Sequence, residues 1–246
     1  NIYEIHFNVT DQNSFDLCEE EGKLKVSIVL VDKTDRYKTS FYGELNGKQK
    51  EATEYTVDIN KGYYEKLDFN DNTEYECAIK GLIDAPETLT LTDETGKVVW
   101  SQDAFDFINY SQEAPDSVNP GLWRNAALNH QYGLFEVTEG IYQVRGYDMS
   151  NLTVIETDTG WIVFDTLMSE ECSAAAMQLI EKNLGKRPIK AIFISHSHVD
   201  HYGGIKGIVR DEDVADATLP LDEQIASGKV PVIVPEGFME HAVAEN

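Results

Sequence analysis

The residues with the clearest capacity for chemistry are three histidines and an aspartate within six consecutive positions. His196, His198, Asp200 and His201 form the pattern His-x-His-x-Asp-His, which uses three of the six histidines in the chain. Imidazole nitrogens and carboxylate oxygens are preferred ligands of catalytic zinc, and two metals about 3.5 to 4 Å apart can act together on the attacking and leaving oxygens of one substrate. The spacing therefore predicts a metal-dependent hydrolytic site rather than a polar surface loop.

The residues before the motif predict how it is positioned. The aliphatic run IKAIFIS, residues 189–195, predicts a buried strand, and open α/β sheets place their ligands at the C-terminal ends of such strands. The strand period of two directs His196 and His198 to the same side, so both can bind one metal. Asp200 and His201 lie past the bend and can face a second metal.

The chain upstream of this strand predicts the rest of an α/β layer. Three short strands are expected to form an antiparallel meander, because turn sequences separate the segments LFEVTEGIYQVRG, NLTVIETD and WIVFDTL. A helix should follow, capped by Ser169 and closed by Gly185. Strand, helix and strand in succession indicate an α/β architecture. Gly203 and Gly204 are expected to let the chain turn sharply into a helix after the motif.

The pattern divides the chain into three regions. Residues 1–64 are strand-rich, with a hairpin turn expected at Asn46-Gly47, and their role is unknown. Residues 65–133 form a connecting arm with helical and extended pieces, and the sequence around Pro115 and Pro120 favours an extended arm over a helix. Residues 134–246 contain the α/β layer and the motif.

Composition excludes several classes of function. The chain has 44 acidic and 20 basic residues among 246, a formal charge of −24, which repels nucleic acid and anionic membrane surfaces. Three widely spaced cysteines form neither a disulfide framework nor a zinc-knuckle spacing. No apolar run approaches the roughly 18 residues of a membrane span. The chain starts at Asn1, so it is processed, truncated or incompletely observed. Loss of an export signal is one of these alternatives, so a periplasmic or secreted location is slightly favoured over a cytoplasmic one.

The motif at the end of a strand resembles the signature of the metallo-β-lactamase superfamily. This resemblance implies an αββα sandwich, of which residues 134–246 would form the first half, preceded by the strand-rich N-terminal region. Asp165, which closes the segment WIVFDTL, matches the aspartate that braces the metal-binding histidines in that superfamily.

Residues 66–246 are similar to the linear (primary) alkyl sulfatase branch, on segments such as GIYQVRGYDMSN and VPEGFMEHAVAEN. The similarity implies a homodimeric hydrolase with two zinc ions that cleaves an alkyl sulfate, such as dodecyl sulfate, into alcohol and sulfate. By position, His196 and His198 would hold one zinc, and Asp200 and His201 the other, with Asp200 also assigned to catalysis. Another hydrolase on this scaffold, acting on thioesters, phosphodiesters or lactams, and a non-catalytic module that binds metal or an apolar ligand are the alternatives.

The remaining ligands of the family lie downstream of EHAVAEN, so we expect the downstream remainder of the polypeptide, or another chain, to complete the site. Residues 1–246 made alone should then be inactive and prone to aggregate. Four residues near the end have ligand-type side chains in a predicted strand and surface helix, a context that disfavours metal binding: Glu236, Glu240, His241 and Glu245.

Overall fold

The computed structural model describes residues 3–5, 25–30, 38–45, 48–108 and 111–246, with side chains from residue 56 onward. The chain divides into two compact units, residues 1–71 with 111–124 and residues 72–110 with 125–246. Among the described residues, no helix is long and apolar enough to cross a membrane.

The first unit contains a four-stranded antiparallel sheet in the order β1-β2-β3-β4, followed by one helix. The elements are β1 (Tyr3–Ile5), β2 (Lys25–Leu30), β3 (Lys38–Leu45), β4 (Lys48–Glu51) and α1 (Ala52–Tyr63). The four strands agree with the strand-rich pattern expected of residues 1–64. Leu45 lies opposite Lys48 in an antiparallel pair. The predicted hairpin turn at Asn46-Gly47, like His6 and Cys18, lies outside the described residues.

The second unit is built on a seven-stranded sheet in the order β13-β12-β11-β10-β9-β8-β5, with a separate β6-β7 hairpin. Its elements begin with α2 (Thr73–Ile79), β5 (Leu82–Asp84), β6 (Thr90–Thr92) and β7 (Val98–Ser101). Helix α3 (Pro120–Asn129) is followed along the chain by β8 (Gly133–Thr138), β9 (Ile141–Arg145), β10 (Leu152–Thr157) and β11 (Gly160–Phe164). The last elements are α4 (Glu170–Leu184), β12 (Ile189–Phe193), α5 (Val199–Tyr202), α6 (Leu221–Ala226), β13 (Val232–Ile233) and α7 (Phe238–Glu245).

The predicted meander is confirmed, with four strands instead of three because the first segment folds into a hairpin at Glu139-Gly140. Strand β12 pairs parallel with β11, and helix α4 connects the two strands along the chain. Ser169 caps that helix by accepting a hydrogen bond from the backbone N–H of Cys172 at 3.2 Å, and Gly185 follows its last turn. The sequence therefore predicts both ends of α4 correctly.

The core lies between one face of the sheet and the apolar side of α4. Fully buried side chains of the strands meet the buried stripe of the helix, and the cluster includes Leu134, Val144, Leu152, Val154, Val163, Ile192, Cys172, Ala176 and Ile180. On the opposite face of the sheet the rings of Phe164 and Phe193 stack 6.4 Å apart, and Phe164 is 40% exposed. Burial on one face fixes the strand register, and the register fixes where the ends of β11 and β12 lie.

The extended arm expected around Pro120 is wrong. Pro120 is the first residue of helix α3, where its missing N–H costs nothing because the first helical N–H groups have no partner inside the helix. The Asn119 Oδ1 atom accepts from the backbone N–H groups of Gly121 at 2.9 Å and Leu122 at 3.3 Å. This cap starts the helix in the middle of the proline-containing segment.

Candidate metal centre

The motif occupies the loop and short helix that follow β12. The strand lies between β11 and β13 with parallel pairing on both sides, so the C-terminal ends of three neighbouring strands converge there. His196 and His198 lie on the loop, and Asp200 and His201 lie on α5. The backbone N–H of His201 donates to the carbonyl of His198 at 3.0 Å, which closes the first turn of that helix.

Two close contacts join ligand-type side chains of the motif, and the ring centroids of His196 and His201 also lie 4.0 Å apart. The Nε2 atom of His196 lies 3.1 Å from Nδ1 of His198. The Nε2 atom of His201 lies 3.3 Å from Oδ2 of Asp200. Two ligand atoms bound tetrahedrally to one zinc at roughly 2.0 to 2.1 Å lie roughly 3.3 to 3.4 Å apart. Each of these two distances is close to that expected for two ligands of one metal ion, and the assignment of the four residues to two metals stays a prediction.

Within the described part of the chain, no group of three or more His, Cys, Asp or Glu side chains is arranged to hold a metal ion. A catalytic zinc usually has three protein ligands. The described residues therefore fit metal ions in donor type and in pair spacing, while supplying two ligands to each position. The roles of His196, His198, Asp200 and His201 as ligands, and of Asp200 in catalysis, stay predictions.

Asp165 lies directly behind the motif. Its Oδ2 atom accepts a hydrogen bond from Nδ1 of His201 at 2.7 Å and one from the Ser195 hydroxyl at 2.8 Å. Its Oδ1 atom accepts from the backbone N–H of Ser195 at 2.7 Å. The carboxylate holds the His201 proton on Nδ1, which leaves Nε2 free on the side of Asp200. The bracing contact implied by the resemblance is thus present, and its effect on a metal stays a prediction.

Ser195 lies beside the motif, a position that was not expected from the sequence. Its hydroxyl lies 2.9 Å from Nδ1 of His196 as well as 2.8 Å from Asp165. Nδ1 of His196 can donate to this oxygen while the hydroxyl donates to Asp165. In that arrangement the carboxylate orients His201 directly, and it orients His196 indirectly, through Ser195. A hydroxyl residue immediately before the first motif histidine was the available signal.

The backbone that carries Asp165 has an unusual conformation. Asp165 and Leu167 both have φ of 61°, in the left-handed region, which is rare for a side chain as bulky as leucine. The tight bend sends the backbone of residues 165–168 under the motif, where the N–H of Thr166 donates to the carbonyl of His201 at 2.7 Å. The local geometry of Asp165 is therefore held by the motif helix itself.

Gly203 and Gly204 form the expected turn into a helix, since a 3-10 helix at Ile205–Gly207 follows them directly. Their φ values of −60° and −85° are open to any residue, so the turn itself does not require glycine. Their missing side chains allow close packing. A Cβ on Gly203 would lie 2.3 Å from the carbonyl oxygen of Met168, and one on Gly204 would lie 2.2 Å from that of Thr166.

The loop between β9 and β10 supports the same region. The Ser150 hydroxyl donates to the backbone carbonyl of Asp200. Asp148 is buried, and its Oδ2 atom accepts from the backbone N–H of Met168 at 2.7 Å. Burial raises the pKa of Asp148, a shift that the hydrogen bonds from Met168 and Met149 oppose. These contacts were not expected from the sequence because their partners are 20 and 50 residues apart.

The structure separates the four ligand-type residues near the chain end. Glu236 and Glu240 are exposed. Glu245 contacts the motif: its Oε2 atom accepts from the Ser197 hydroxyl at 2.5 Å and lies 3.9 Å from Nε2 of His198. The hydrogen bond from Ser197 lowers the pKa of Glu245. Nδ1 of His241 lies 3.7 Å from Oε1 of Glu245.

Comparisons with known proteins agree with this geometry. Residues 145–237 match the family model of the metallo-β-lactamase superfamily. The chain is 43% identical over 197 residues to a linear primary-alkylsulfatase from Pseudomonas sp and 44% identical over 197 residues to an (R)-specific secondary-alkylsulfatase from Pseudomonas sp. Each match covers 80% of this chain and 28% of the relative.

A solved structure shows the same fold. The sec-alkylsulfatase Pisa1 from Pseudomonas sp. superimposes with a TM-score of 0.68 at 44% identity, over 78% of this chain and 28% of that chain. The resemblance inferred from the motif and the α/β fold class are both confirmed. This chain, which spans 28% of the length of these relatives, is thus similar to the metallo-β-lactamase superfamily over residues 145–237 and to alkylsulfatases over about four fifths of its length.

Proposed function

We propose that the protein to which this chain belongs is a two-zinc alkyl sulfatase, which hydrolyses alkyl sulfate esters to alcohol and inorganic sulfate. The observation that carries the proposal is the division of the motif into two donor pairs, 3.1 Å and 3.3 Å across, at one edge of the sheet. The sequence similarity to alkylsulfatases over 80% of the chain supports the choice of sulfate esters among the reactions that this scaffold hosts.

In this proposal His196 and His198 hold one zinc, and Asp200 and His201 hold the other. The bound ions supply positive charge and Lewis acidity beside a sulfate ester, which the acidic chain does not otherwise provide. Asp165 keeps the proton of His201 on Nδ1. The Ser195 hydroxyl, which donates to the same carboxylate, contacts Nδ1 of His196 and links that imidazole to Asp165. The chain's own contribution is therefore to fix which imidazole nitrogen faces each metal.

We also propose that the substrates are medium or long primary alkyl sulfates, such as dodecyl sulfate. A buried alkyl tail would contribute up to roughly 0.8 kcal/mol of binding for each methylene group. Because the relatives include a linear primary-alkylsulfatase and an (R)-specific secondary-alkylsulfatase, the two substrate classes need a direct comparison. A rise of kcat/KM with chain length for primary esters is the expected result.

The test uses the full-length protein with its metal content measured. We expect two zinc ions per subunit and release of sulfate from dodecyl sulfate, with little hydrolysis of β-lactams, phosphodiesters or thioesters. His196→Ala and His198→Ala should abolish activity and lower zinc content while the protein stays folded. His130→Ala is the matched control, because His130 contacts Gln102 and Asp106 instead of the motif. Stoichiometric zinc without sulfatase activity would favour a non-catalytic module or another hydrolase.

A further inference from the structure

The end of helix α7 contacts the loop that carries His198. Asn246 and Glu245 reach this loop from a part of the chain nearly fifty residues downstream, and they contact Ser197 and Val199, the residues next to His198. These contacts involve the protein's own side chains and backbone, and no assignment of the metal-binding residues accounts for them.

Asn246 bonds the backbone on both sides of His198. Its Oδ1 atom accepts from the N–H of Val199 at 2.9 Å, and its Nδ2 atom donates to the carbonyl of Ser197 at 2.8 Å. Val199 is the first residue of α5, and its N–H has no partner inside that helix. The N-cap residue, His198, makes no side-chain capping bond. Asn246 therefore supplies the missing cap while the His198 ring stays free.

Glu245 faces the outer nitrogen of the same imidazole. Nδ1 of His198 lies 3.1 Å from His196, in the first donor pair, so Nε2 is the nitrogen left on the outside. The Oε2 atom of Glu245 lies 3.9 Å from that Nε2 and accepts a hydrogen bond from Ser197. A carboxylate that accepts the outer N–H of a metal-binding histidine fixes its tautomer, and at 3.9 Å the negative charge of Glu245 favours a proton on the same nitrogen without a hydrogen bond.

We propose that Glu245 and Asn246 are positioning residues for His198, which orient its Nδ1 toward the first metal. Asn246 fixes the backbone of His198, and Glu245 favours the tautomer with the proton on Nε2. Glu245 acts on His198 through its charge at 3.9 Å, whereas Asp165 accepts a hydrogen bond from His201 at 2.7 Å. The inference rests on the proposed assignment of His198 as a metal ligand and is independent of the substrate.

The experiment compares Glu245→Gln, Glu245→Ala and Asn246→Ala in the full-length protein. Glu240→Gln is the matched control, since Glu240 is an exposed glutamate on the same helix. Zinc affinity, measured with the metal alone by chelator competition, should fall about 10-fold to 100-fold in the Glu245 variants, as for other outer partners of metal ligands. Asn246→Ala should lower it as well, and the control should match the wild type.

Two readouts are independent of activity. In the zinc-bound protein the nitrogen chemical shifts of the His198 ring should report a proton on Nε2, and the Nε2 shift should change in Glu245→Ala because the nearby carboxylate is lost. Amide hydrogen exchange at Val199 should become at least about tenfold faster in Asn246→Ala, because that N–H loses its acceptor. Unchanged ring shifts, together with unchanged zinc affinity, would overturn the role of Glu245, and unchanged exchange at Val199 would overturn that of Asn246.

The outcomes separate this inference from the proposed function. A wild-type protein that binds two zinc ions and hydrolyses no alkyl sulfate would refute the proposed function and leave the positioning roles intact. A His198→Ala variant with wild-type zinc affinity would refute the ligand assignment and, with it, the positioning of His198 by either residue.

Discussion

The Oδ2 atom of Asp165 lies 2.7 Å from Nδ1 of His201, although Asp165 directly follows β11 and His201 belongs to the helix beyond β12. The contact joins two strand ends that are neighbours through parallel pairing. It requires the left-handed backbone of Asp165, at φ 61°, which turns the carboxylate under the motif. The contact therefore depends on the strand order and on the left-handed backbone of Asp165, and it orients the imidazole of His201.

Two substitutions of Asp165 should distinguish the effect of its charge on zinc binding from the effect of its backbone conformation on stability. Asp165→Asn keeps a residue type that tolerates the left-handed region, whereas Asp165→Ala adds roughly 1 to 2 kcal/mol of backbone strain. We expect both variants to bind zinc about 10-fold to 100-fold more weakly, because His201 and Ser195 lose a carboxylate acceptor. Chelator competition and urea unfolding measure the two effects. Equal zinc affinity in Asp165→Asn and in wild type would show that the charge is unimportant, and Asp158→Asn, in an exposed turn, is the control.

Addition of a methyl group at Gly204 should disrupt the packing under the motif. A Cβ there would lie 2.0 Å from the Ser173 hydroxyl oxygen and 2.2 Å from the carbonyl oxygen of Thr166. We expect Gly204→Ala to destabilise the protein by roughly 1 to 3 kcal/mol, the usual cost of overpacking, and to weaken metal binding. Gly62→Ala is the control, since a Cβ at Gly62 meets nothing within 4 Å.

The double variant Gly204→Ala with Ser173→Ala tests whether the Ser173 side chain or the backbone excludes a methyl group at position 204. Removal of the Ser173 hydroxyl relieves one close contact and leaves the backbone carbonyl of Thr166 in place. We therefore expect no recovery of stability in urea unfolding. Full recovery would show that the side chain, and not the backbone of residues 165–168, sets the need for glycine.

Cys172 should be inert to thiol reagents while the protein is folded. Burial raises the pKa of its thiol to about 11, whereas Cys77 is exposed. At pH 8 only about 0.1% of Cys172 is thiolate, and the reactive species of a cysteine is the thiolate. In a Cys18→Ser background, a disulfide reagent should titrate one of these two thiols in the native protein and both in denaturant. Rapid reaction of both native thiols would contradict the buried position of Cys172.

The start of helix α3 should depend on the side chain of Asn119. Its Oδ1 atom accepts from two of the first helical N–H groups, so Asn119→Ala should cost about 1 kcal/mol of stability. Asn119→Asp keeps an acceptor oxygen and should stay within a few tenths of a kcal/mol of wild type. Urea unfolding followed by tryptophan fluorescence measures both. An equal loss in the two variants would show that the amide, rather than an acceptor at this position, is needed.

Local sequence was sufficient wherever the determining residues are close together in the chain. Alternating hydrophobic residues predict strands β8 to β11, and Ser169 and Gly185 predict the ends of α4, because caps and periodicity act over a few residues. The helix at Pro120 was missed because proline is read as a helix breaker, although at the first helical position it is favourable. The correct signal was Asn119 immediately before it.

The sequence by itself determined the donor types and their spacing along the chain, because both are properties of the motif residues His196, His198, Asp200 and His201 alone. Only the tertiary structure decided which polar side chains lie next to each imidazole. Ser195 joins His196 to Asp165, and Glu245 reaches His198, through contacts between residues 30 and 47 positions apart. Such partners are set by strand order and helix packing, because the hydrophobic core fixes which elements are neighbours and the polar contacts at their ends follow.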